Sequence, residues 1–173
     1  MKQIVAACLL GALALPATSA AQNAQNQDPG ETVKATHGAW EIVCATSQPD
    51  LCVMRQVGKM QDGAEVLEVR IRKLDGVTTQ DGETVPAAIR ILTPLGSVLQ
   101  AGVTVQVDAT EPRTGIYKVC LPQGCIVEDP MSADFLGRLR AGAVANMKFG
   151  VVQQGEISVD VSLNGFTKAF NSL

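Results

Sequence analysis

The cysteines are the residues of this sequence whose type and spacing could support chemistry. The chain has five, and two of them, Cys120 and Cys125, flank a Pro-Gln-Gly turn in residues 117–129, YKVCLPQGCIVED. Such a pair could be a redox centre, half of a metal site, or a disulfide across the end of a β-hairpin. The compartment decides among these, because thiols stay reduced in the cytosol and oxidise outside it.

The first 21 residues indicate export. They contain one positive charge, an apolar run from Ile4 to Leu15, a proline, and small residues that suit cleavage after Ala20 or Ala21. This order is typical of a secretory signal peptide. A lipoprotein interpretation of Cys8 fits less well, because most of the apolar run follows that cysteine. The sequence therefore predicts a signal peptide at residues 1–21 and a periplasmic or secreted mature protein.

Removal of the signal peptide leaves four cysteines, and an even number in an exported chain predicts two disulfides. Four cysteines allow three pairings. We expect the local one, Cys44 with Cys52 and Cys120 with Cys125, because turn-forming residues separate the members of each pair. Opposed residues on antiparallel strands bring their Cβ atoms to about 4.5–5.5 Å, which small adjustments can bridge.

Redox and metal chemistry fit these spacings less well. A thioredoxin-like site has the pattern Cys-x-x-Cys, whereas four residues separate Cys120 from Cys125. Structural zinc sites usually have about two to four residues within a ligand pair, and seven residues separate Cys44 from Cys52. The sequence thus predicts structural disulfides, no metal and no cofactor.

Short strands separated by Gly, Pro, Asp and Asn are expected to position the cysteines. Alternation of apolar and polar residues is clearest in residues 65–74 and 156–163. The other expected strands are residues 39–45, 51–57, 86–92, 103–108, 115–121, 125–129 and 145–153. Helical patterns do not alternate with these segments, so we expect an antiparallel sandwich or barrel.

Two helical signals stand out. Residues 131–142, MSADFLGRLRAG, have Ser132 as an N-cap, a glycine at the end and apolar residues on one face, which predicts one short helix docked on the sheets. Near the C-terminus, Asn164 is a candidate cap for a final turn in which Phe166 and Phe170 face inward.

Composition limits the possible partners. The net charge is −3 and there is no basic cluster, so neither nucleic acid nor an anionic membrane surface is indicated. With one Trp, one Tyr and four Phe, a platform for stacking bases or sugars is hard to build. After the leader no stretch has the roughly 20 apolar residues of a transmembrane helix.

The domain organisation follows from a change in composition. Residues 22–36 are polar and of low complexity, which predicts a flexible tether, because such residues cannot offset the entropy of ordering by burial. Residues 37–173 suit one compact domain.

The sequence suggests no active site. His37 is the only histidine, and we expect it to be solvated beside the tether. Two pairs of acids, Glu128 with Asp129 and Asp108 with Glu111, could form paired carboxylates, but acids at strand ends are usually solvated turn residues. We therefore predict that the protein is not an enzyme.

Two apolar features have both a structural and a binding interpretation. Trp40 is expected to be a core residue that shares a strand face with Cys44. Residues 93–107, TPLGSVLQAGVTVQV, could form an exposed adhesive strip. A buried strand and turn is the structure that we expect there.

Several segments together resemble the invasion-associated locus B family of exported Gram-negative bacterial proteins. They are HGAWEIVC (37–44), LCVMRQ (51–56), ILTPLGSVLQAGVTVQVD (91–108), YKVCLPQGCIVED (117–129) and ISVDVSLNGFTKAFNSL (157–173). The resemblance implies an all-β, immunoglobulin-like antiparallel β-sandwich with one short helix and two disulfides. It supplies no catalytic residues. A common Phe-Gly-Asp-Trp pattern stands here as His37-Gly38-Ala39-Trp40, so no acid precedes the tryptophan.

These observations lead to two main functional hypotheses. The first is a non-catalytic protein of the bacterial envelope that acts through contacts with an unknown envelope or host protein, for example by strand addition at a sheet edge. The second is a secreted or surface-exposed factor for host-cell adhesion or invasion, which is what the resemblance implies for the founding member. A periplasmic enzyme is a third and weaker alternative.

Overall fold

A computed structural model describes residues 30–79 and 82–173. In this part of the chain there are eleven strands and two short helices. The strands are β1 (Glu31–His37), β2 (Trp40–Ala45), β3 (Gln48–Lys59), β4 (Glu65–Lys73), β5 (Ala87–Thr93), β6 (Val103–Val107), β7 (Arg113–Gly115), β8 (Tyr117–Leu121), β9 (Gly124–Met131), β10 (Val144–Val151) and β11 (Gly155–Ser162). Helix α1 (Ala133–Ala141) lies between β9 and β10, and helix α2 (Phe166–Asn171) follows β11.

The strands form two packed sheets. The seven-stranded sheet has the order β1-β2-β3-β4-β5-β9-β8, and the four-stranded sheet has the order β11-β10-β6-β7. Neighbouring strands in both sheets are antiparallel. The predicted all-β sandwich is confirmed.

Alternation along the strands creates the core between the sheets. The inward-facing residues include Leu67, Val69 and Ile71 on β4 and Ile157, Val159 and Val161 on β11. Burial of a side chain of this kind contributes about 1.5–3 kcal/mol. The period of two in the sequence therefore decides which face of each strand packs inward.

Strand β1 lies partly inside the segment predicted to be a tether, residues 22–36. That prediction is wrong from Glu31 to Thr36, because these residues pair with β2 in an antiparallel ladder. Exposed residues alternate with half-buried ones along β1, so the strand is polar and backbone hydrogen bonds hold it at the edge of the sheet. Residues 1–29, with the predicted signal peptide and the rest of the tether, lie outside the described residues.

The predicted strand 115–121 is in fact two strands in different sheets. Gly115 ends β7 and pairs with Val103 in the four-stranded sheet, whereas Tyr117 begins β8 and pairs with Val127 in the seven-stranded sheet. The chain therefore crosses between the sheets at Ile116, which is exposed. Continuous alternation in the sequence does not reveal such a crossing.

The predicted helix α1 is present. Ser132 is its N-cap, and the Ser132 hydroxyl accepts a hydrogen bond of 3.2 Å from the backbone N–H of Phe135. Its buried residues are Phe135, Leu136 and Leu139. The helix thus packs one apolar face on the core, as the pattern predicts.

A second short helix, α2, replaces the predicted final turn, and the expectation of a single helix is wrong. Phe166 and Phe170 face inward as expected, but Asn164 is not the cap. The cap is Gly165 in a left-handed conformation, with φ of 84°. A side chain at Gly165 would collide with the carbonyl of His37, so glycine is required there.

Neither helix reaches the length and apolar content needed to cross a membrane, and no other helix occurs among the described residues.

Trp40 connects the two sheets and is a core residue, as predicted. It is 1% exposed. Its indole Nε1 atom donates to the backbone carbonyl of Ser162 at 2.9 Å, and its ring meets Phe166 edge to face at 5.3 Å between centroids. One side chain of β2 thereby holds the end of β11 and the start of α2.

The segment 93–107 is buried at both ends, and most of the loop between them is exposed, with Ser97 as a buried exception. Thr93 ends β5, and Val103–Val107 forms β6 with its valines in the core. In the connecting loop Leu95 and Leu99 are exposed. The expected buried strand and turn is confirmed for β6, while the loop leaves two leucines in contact with solvent.

Candidate functional site

Cys44, Cys52, Cys120 and Cys125 form two disulfides between opposed residues of neighbouring strands. Cys44 on β2 opposes Cys52 on β3 with Cα atoms 4.0 Å apart. Cys120 on β8 opposes Cys125 on β9 with Cα atoms 3.9 Å apart. This is the local pairing expected from the spacing. Two structural disulfides are consistent with an exported protein.

The acids Glu128 and Asp129 do not form a carboxylate pair. They are neighbours on β9 and therefore point to opposite faces of the sheet. Glu128 lies 3.9 Å from Arg72, and Asp129 lies 3.3 Å from Lys118. Glu128 thus faces a basic residue of β4, two strands away, and Asp129 faces one of the adjacent strand β8, so the two acids do not form a pair.

Asp108 has a structural role. Its carboxylate accepts hydrogen bonds from the backbone N–H groups of Ala143 (3.0 Å) and Val144 (3.1 Å), which holds the start of β10. No hydrogen bond between Asp108 and Glu111 occurs in the described part of the chain. The second candidate carboxylate pair is therefore not assembled.

His37 ends β1, opposite Trp40, and is half-buried. Within residues 30–79 and 82–173 no hydrogen bond or ion pair links its ring to an acid or a nucleophile. No group of three or more His, Cys, Asp or Glu side chains in those ranges could hold a metal ion.

The outer face of the seven-stranded sheet carries a charged network that the cysteine and carboxylate patterns do not reveal. Its members are Arg55 and Arg70 with Glu31, Glu41 and Glu68. Arg55 donates to Glu41 at 2.7 Å, and its Nη1 atom lies 3.9 Å from both Glu31 and Glu68. Arg70 donates to Glu31 and Glu68. Side chains therefore link β1, β2, β3 and β4.

This network is more buried than an ordinary surface ion pair. Arg55 is 7% exposed. Burial alone lowers the pKa of the Arg70 guanidinium, but the hydrogen bonds and charges of Glu68 and Glu31 outweigh burial and raise that pKa above its usual value. Arg70 therefore keeps its charge at any physiological pH, and the network remains an ionic one.

Part of this network could have been found from the sequence. The predicted disulfide between Cys44 and Cys52 sets the register of β2 against β3, and this register places Glu41 directly opposite Arg55. Glu31 could not have been found in this way, because it lies in the segment predicted to be a tether.

A groove crosses the same outer face. It consists of two adjoining depressions of about 320 and 520 Å³, and Glu31, Arg70 and Arg90 line both. The apolar residues of the smaller one are Leu92, Leu121 and Ile126. Glu31 and Arg70 already pair with each other, whereas Arg90, which also lines both depressions, makes no ion pair with a described residue.

Four strands lie at the edges of the two sheets in the described chain, and three of them are short or interrupted. The register of β1 shifts between Val33 and Ala35, and that of β8 shifts between Tyr117 and Val119. The third, β7, has only three residues. Bulges and short strands protect sheet edges from pairing with other chains.

The fourth edge strand, β11, has none of these features. Its eight residues pair with β10 without a register shift, and none is proline or lysine. Strand β3 approaches the C-terminal part of β11, where a Cβ atom at Gly58 would lie 2.8 Å from Val159 Cγ1. The Gln56 side chain donates to the carbonyl of Ser162 at 2.8 Å and accepts from the Ser162 N–H at 2.9 Å. The rest of β11 is the most regular open edge in the described structure.

Comparison with known proteins gives a consistent family match. Residues 40–173 match the family described as "Invasion associated locus B (IalB) protein". Invasion protein B of Bartonella bacilliformis is 30% identical over 164 residues, which covers 91% of this chain and 83% of that protein. An invasion protein B homolog of Brucella abortus (strain 2308) is 28% identical over 151 residues, which covers 82% of this chain and 79% of that protein.

A solved structure has the same fold. The crystal structure of invasion associated protein B from Bartonella henselae superposes with a TM-score of 0.63 at 25% sequence identity. The match covers 82% of this chain and 95% of that one. Sequence and structure comparisons thus agree on the same group of proteins.

Proposed function

The chain belongs to the invasion associated locus B family, and from this premise we propose that it is an exported, non-catalytic protein of the bacterial envelope that binds other proteins. The observation that carries this proposal is the open edge of β11 in a sandwich whose other edges are short or interrupted. A free edge can bind an extended segment through backbone hydrogen bonds.

The structural roles of the candidate catalytic groups support a binding function. Asp108 holds backbone N–H groups, while Glu128 and Asp129 pair with basic residues on separate faces. The cysteines are joined in disulfides. The cysteines therefore offer no free thiol, and the acids make structural contacts instead of pairing with each other, which supports binding over catalysis.

Export is the first part of the proposal to test. We expect cleavage of the leader after Ala20 or Ala21 and two disulfides in the mature chain. Intact-mass spectrometry of the protein purified from its own cells, with and without reduction and alkylation, measures both. A mass that includes the leader, or four alkylated cysteines without reductant, would contradict export.

Protein binding is the second part. We expect cross-linking in intact cells to join this chain to a defined envelope protein, and affinity purification followed by mass spectrometry to identify that protein. The matched control is a chain of equal abundance with several exposed residues changed on both sheets. If the parent chain and the control variant recovered the same proteins in equal amounts, that result would count against a specific partner.

A second candidate function is adhesion to or invasion of host cells, which the name of the Bartonella bacilliformis relative, invasion protein B, favours. The two candidates differ in location. Protease treatment of whole cells leaves a periplasmic protein intact and digests a surface-exposed one. Digestion under conditions that spare a known periplasmic protein would favour the second candidate.

A further inference from the structure

The backbone of β11 shows which groups a partner would meet. In an antiparallel strand the N–H and C=O of one residue point to the same side, and the side alternates along the chain. Ser162 directs both groups away from β10, toward Gln56. Glu156, Ser158 and Asp160 therefore direct theirs the same way, and no backbone hydrogen bond from another described residue reaches them.

The open section is long enough for a short strand. Glu156 to Asp160 spans about 13 Å at the usual rise of about 3.3 Å per residue. Glu156, Ser158 and Asp160 are exposed, whereas Ile157 and Val159 are buried. A strand added here would place alternate side chains beside the exposed acids and beside the apolar core, so it needs polar and apolar residues in alternation.

The charged side chains on and beside β11 indicate which residues a partner strand should carry. Lys148 lies 3.9 Å from Glu156, and Asn146 donates to Asp160 at 2.7 Å. Asp160 has no basic partner among the described residues, so the edge keeps a net negative charge. Opposite charges directly across two strands stabilise the pair, and like charges destabilise it.

We propose that β11, from Glu156 to Asp160, accepts a strand of another protein that carries Lys or Arg at two positions four residues apart with apolar residues between them. The inference rests on the proposed binding function and specifies its partner. A second copy of this chain fits poorly. Antiparallel pairing centred on Ser158 would set Glu156 against Asp160 twice, which brings acids together.

The test uses the mature chain and two synthetic peptides. One contains Lys-Val-Thr-Val-Lys and the other Glu-Val-Thr-Val-Glu, each with the same Gly-Ser ends. Binding is followed by NMR shifts and by hydrogen exchange of the backbone amides. We expect the lysine peptide to protect the amides of Glu156, Ser158 and Asp160 and to bind at least about tenfold more tightly, since both charge pairs change sign.

Two matched pairs of variants separate edge pairing from general charge attraction. Ser158→Pro removes the backbone N–H of residue 158, which does not bond to β10, so the domain should still fold. Binding of the lysine peptide should be lost, because this N–H is one of the donors at the edge. Ser158→Ala keeps the donor and should bind normally. The pair Glu156→Lys and Asp160→Lys should reverse the peptide preference, while Glu83→Lys with Glu111→Lys, an equal change in net charge elsewhere, should not.

The outcomes separate this inference from the proposed function. Equal binding of both peptides, protection at β1 or β8 instead of β11, or a dimer that Ser158→Pro disrupts would overturn the inference. The inference would also be overturned if the Ser158→Pro chain still captured the partner that is cross-linked in cells. That result would leave the proposed function intact. If no partner is captured in cells but the lysine peptide binds at β11, the proposed function fails and the edge assignment stands.

Discussion

The two sheets of this sandwich are held by different kinds of interaction. Both disulfides and the Arg55 and Arg70 network lie in the seven-stranded sheet. The outer face of the four-stranded sheet has neutral hydrogen-bonded pairs, such as Asn146 with Ser158 and Thr104 with Thr114, and the exposed ion pair of Lys148 with Glu156. Covalent and ionic links therefore join strands of the seven-stranded sheet, while the four-stranded sheet has the regular edge strand β11.

This difference shows where the fold can acquire a partner without losing stability. Substitution of the cysteines, Arg55 or Arg70 in the seven-stranded sheet breaks cross-strand links. Substitutions on the solvent side of β11 remove no ladder hydrogen bond and no core contact. We therefore expect stability to depend mainly on the first sheet and binding mainly on the second, and the following predictions test that division.

The largest effect should come from the residue that joins the two sheets. Trp40→Ala removes the packing on Phe166 and the bond to Ser162, and should lower the free energy of unfolding by about 3–5 kcal/mol. Urea denaturation followed by circular dichroism measures this. Trp40→Phe keeps much of the packing and should cost less. Similar stability of Trp40→Ala and the parent chain would mean that the sheets do not depend on this contact.

Loss of the hairpin disulfide should have the next largest effect. Cys120→Ala with Cys125→Ala should lower the free energy of unfolding by about 2–3 kcal/mol, because the unfolded chain regains the entropy of a short loop. Chemical denaturation of both proteins without reductant gives the value. The control is the parent chain in reductant, which should also lose stability. An unchanged melting curve of the parent chain in reductant would refute a structural role of the disulfides.

Breaking the ionic network should cost somewhat less. Arg55→Met leaves Glu31, Glu41 and Glu68 with one basic partner fewer and should lower the free energy of unfolding by about 2 kcal/mol. The loss should not be larger, because the three acids are only partly buried. Arg90→Met on the same face is the matched control, because Arg90 makes no ion pair with a described residue, and it should change stability by less than about 0.5 kcal/mol. Equal effects of the two substitutions would show that the network adds no stability.

The smallest effect should occur on the four-stranded sheet. Asn146→Ala removes exposed hydrogen bonds to Ser158 and Asp160 and should cost no more than about 1 kcal/mol. Thermal denaturation, compared with Arg55→Met, measures the contrast between the sheets. A larger loss of stability for Asn146→Ala than for Arg55→Met would contradict the greater contribution to stability that we expect from the seven-stranded sheet.

Local patterns in the sequence predict most of this fold. Alternation identifies β4 and β11, the Ser132 cap identifies α1, and the turns between cysteines identify both disulfides. These features depend on residues close together in the chain, so a short window contains the needed information. The polar strand β1 and the three-residue β7 lack that pattern, because an edge strand with little buried surface needs few apolar residues.

The candidate site is harder to predict for a physical reason. Glu31 meets Arg70 only because β1, β2, β3 and β4 lie side by side in one sheet. Asp108 acts on Ala143 and Val144, which are 35 and 36 residues away. Such contacts depend on strand order, and no local pattern specifies strand order.

The sequence by itself determined the inward and outward faces of the main strands, the cysteine pairs and the family, because these are set by residue type and short spacing. Only the tertiary structure decided that β1 joins the sheet, that the arginines and glutamates form one network, and that β11 ends its sheet as an open strand. Whether a strand lies at a sheet edge depends on how all the other strands pair, so an edge is a property of the assembled fold.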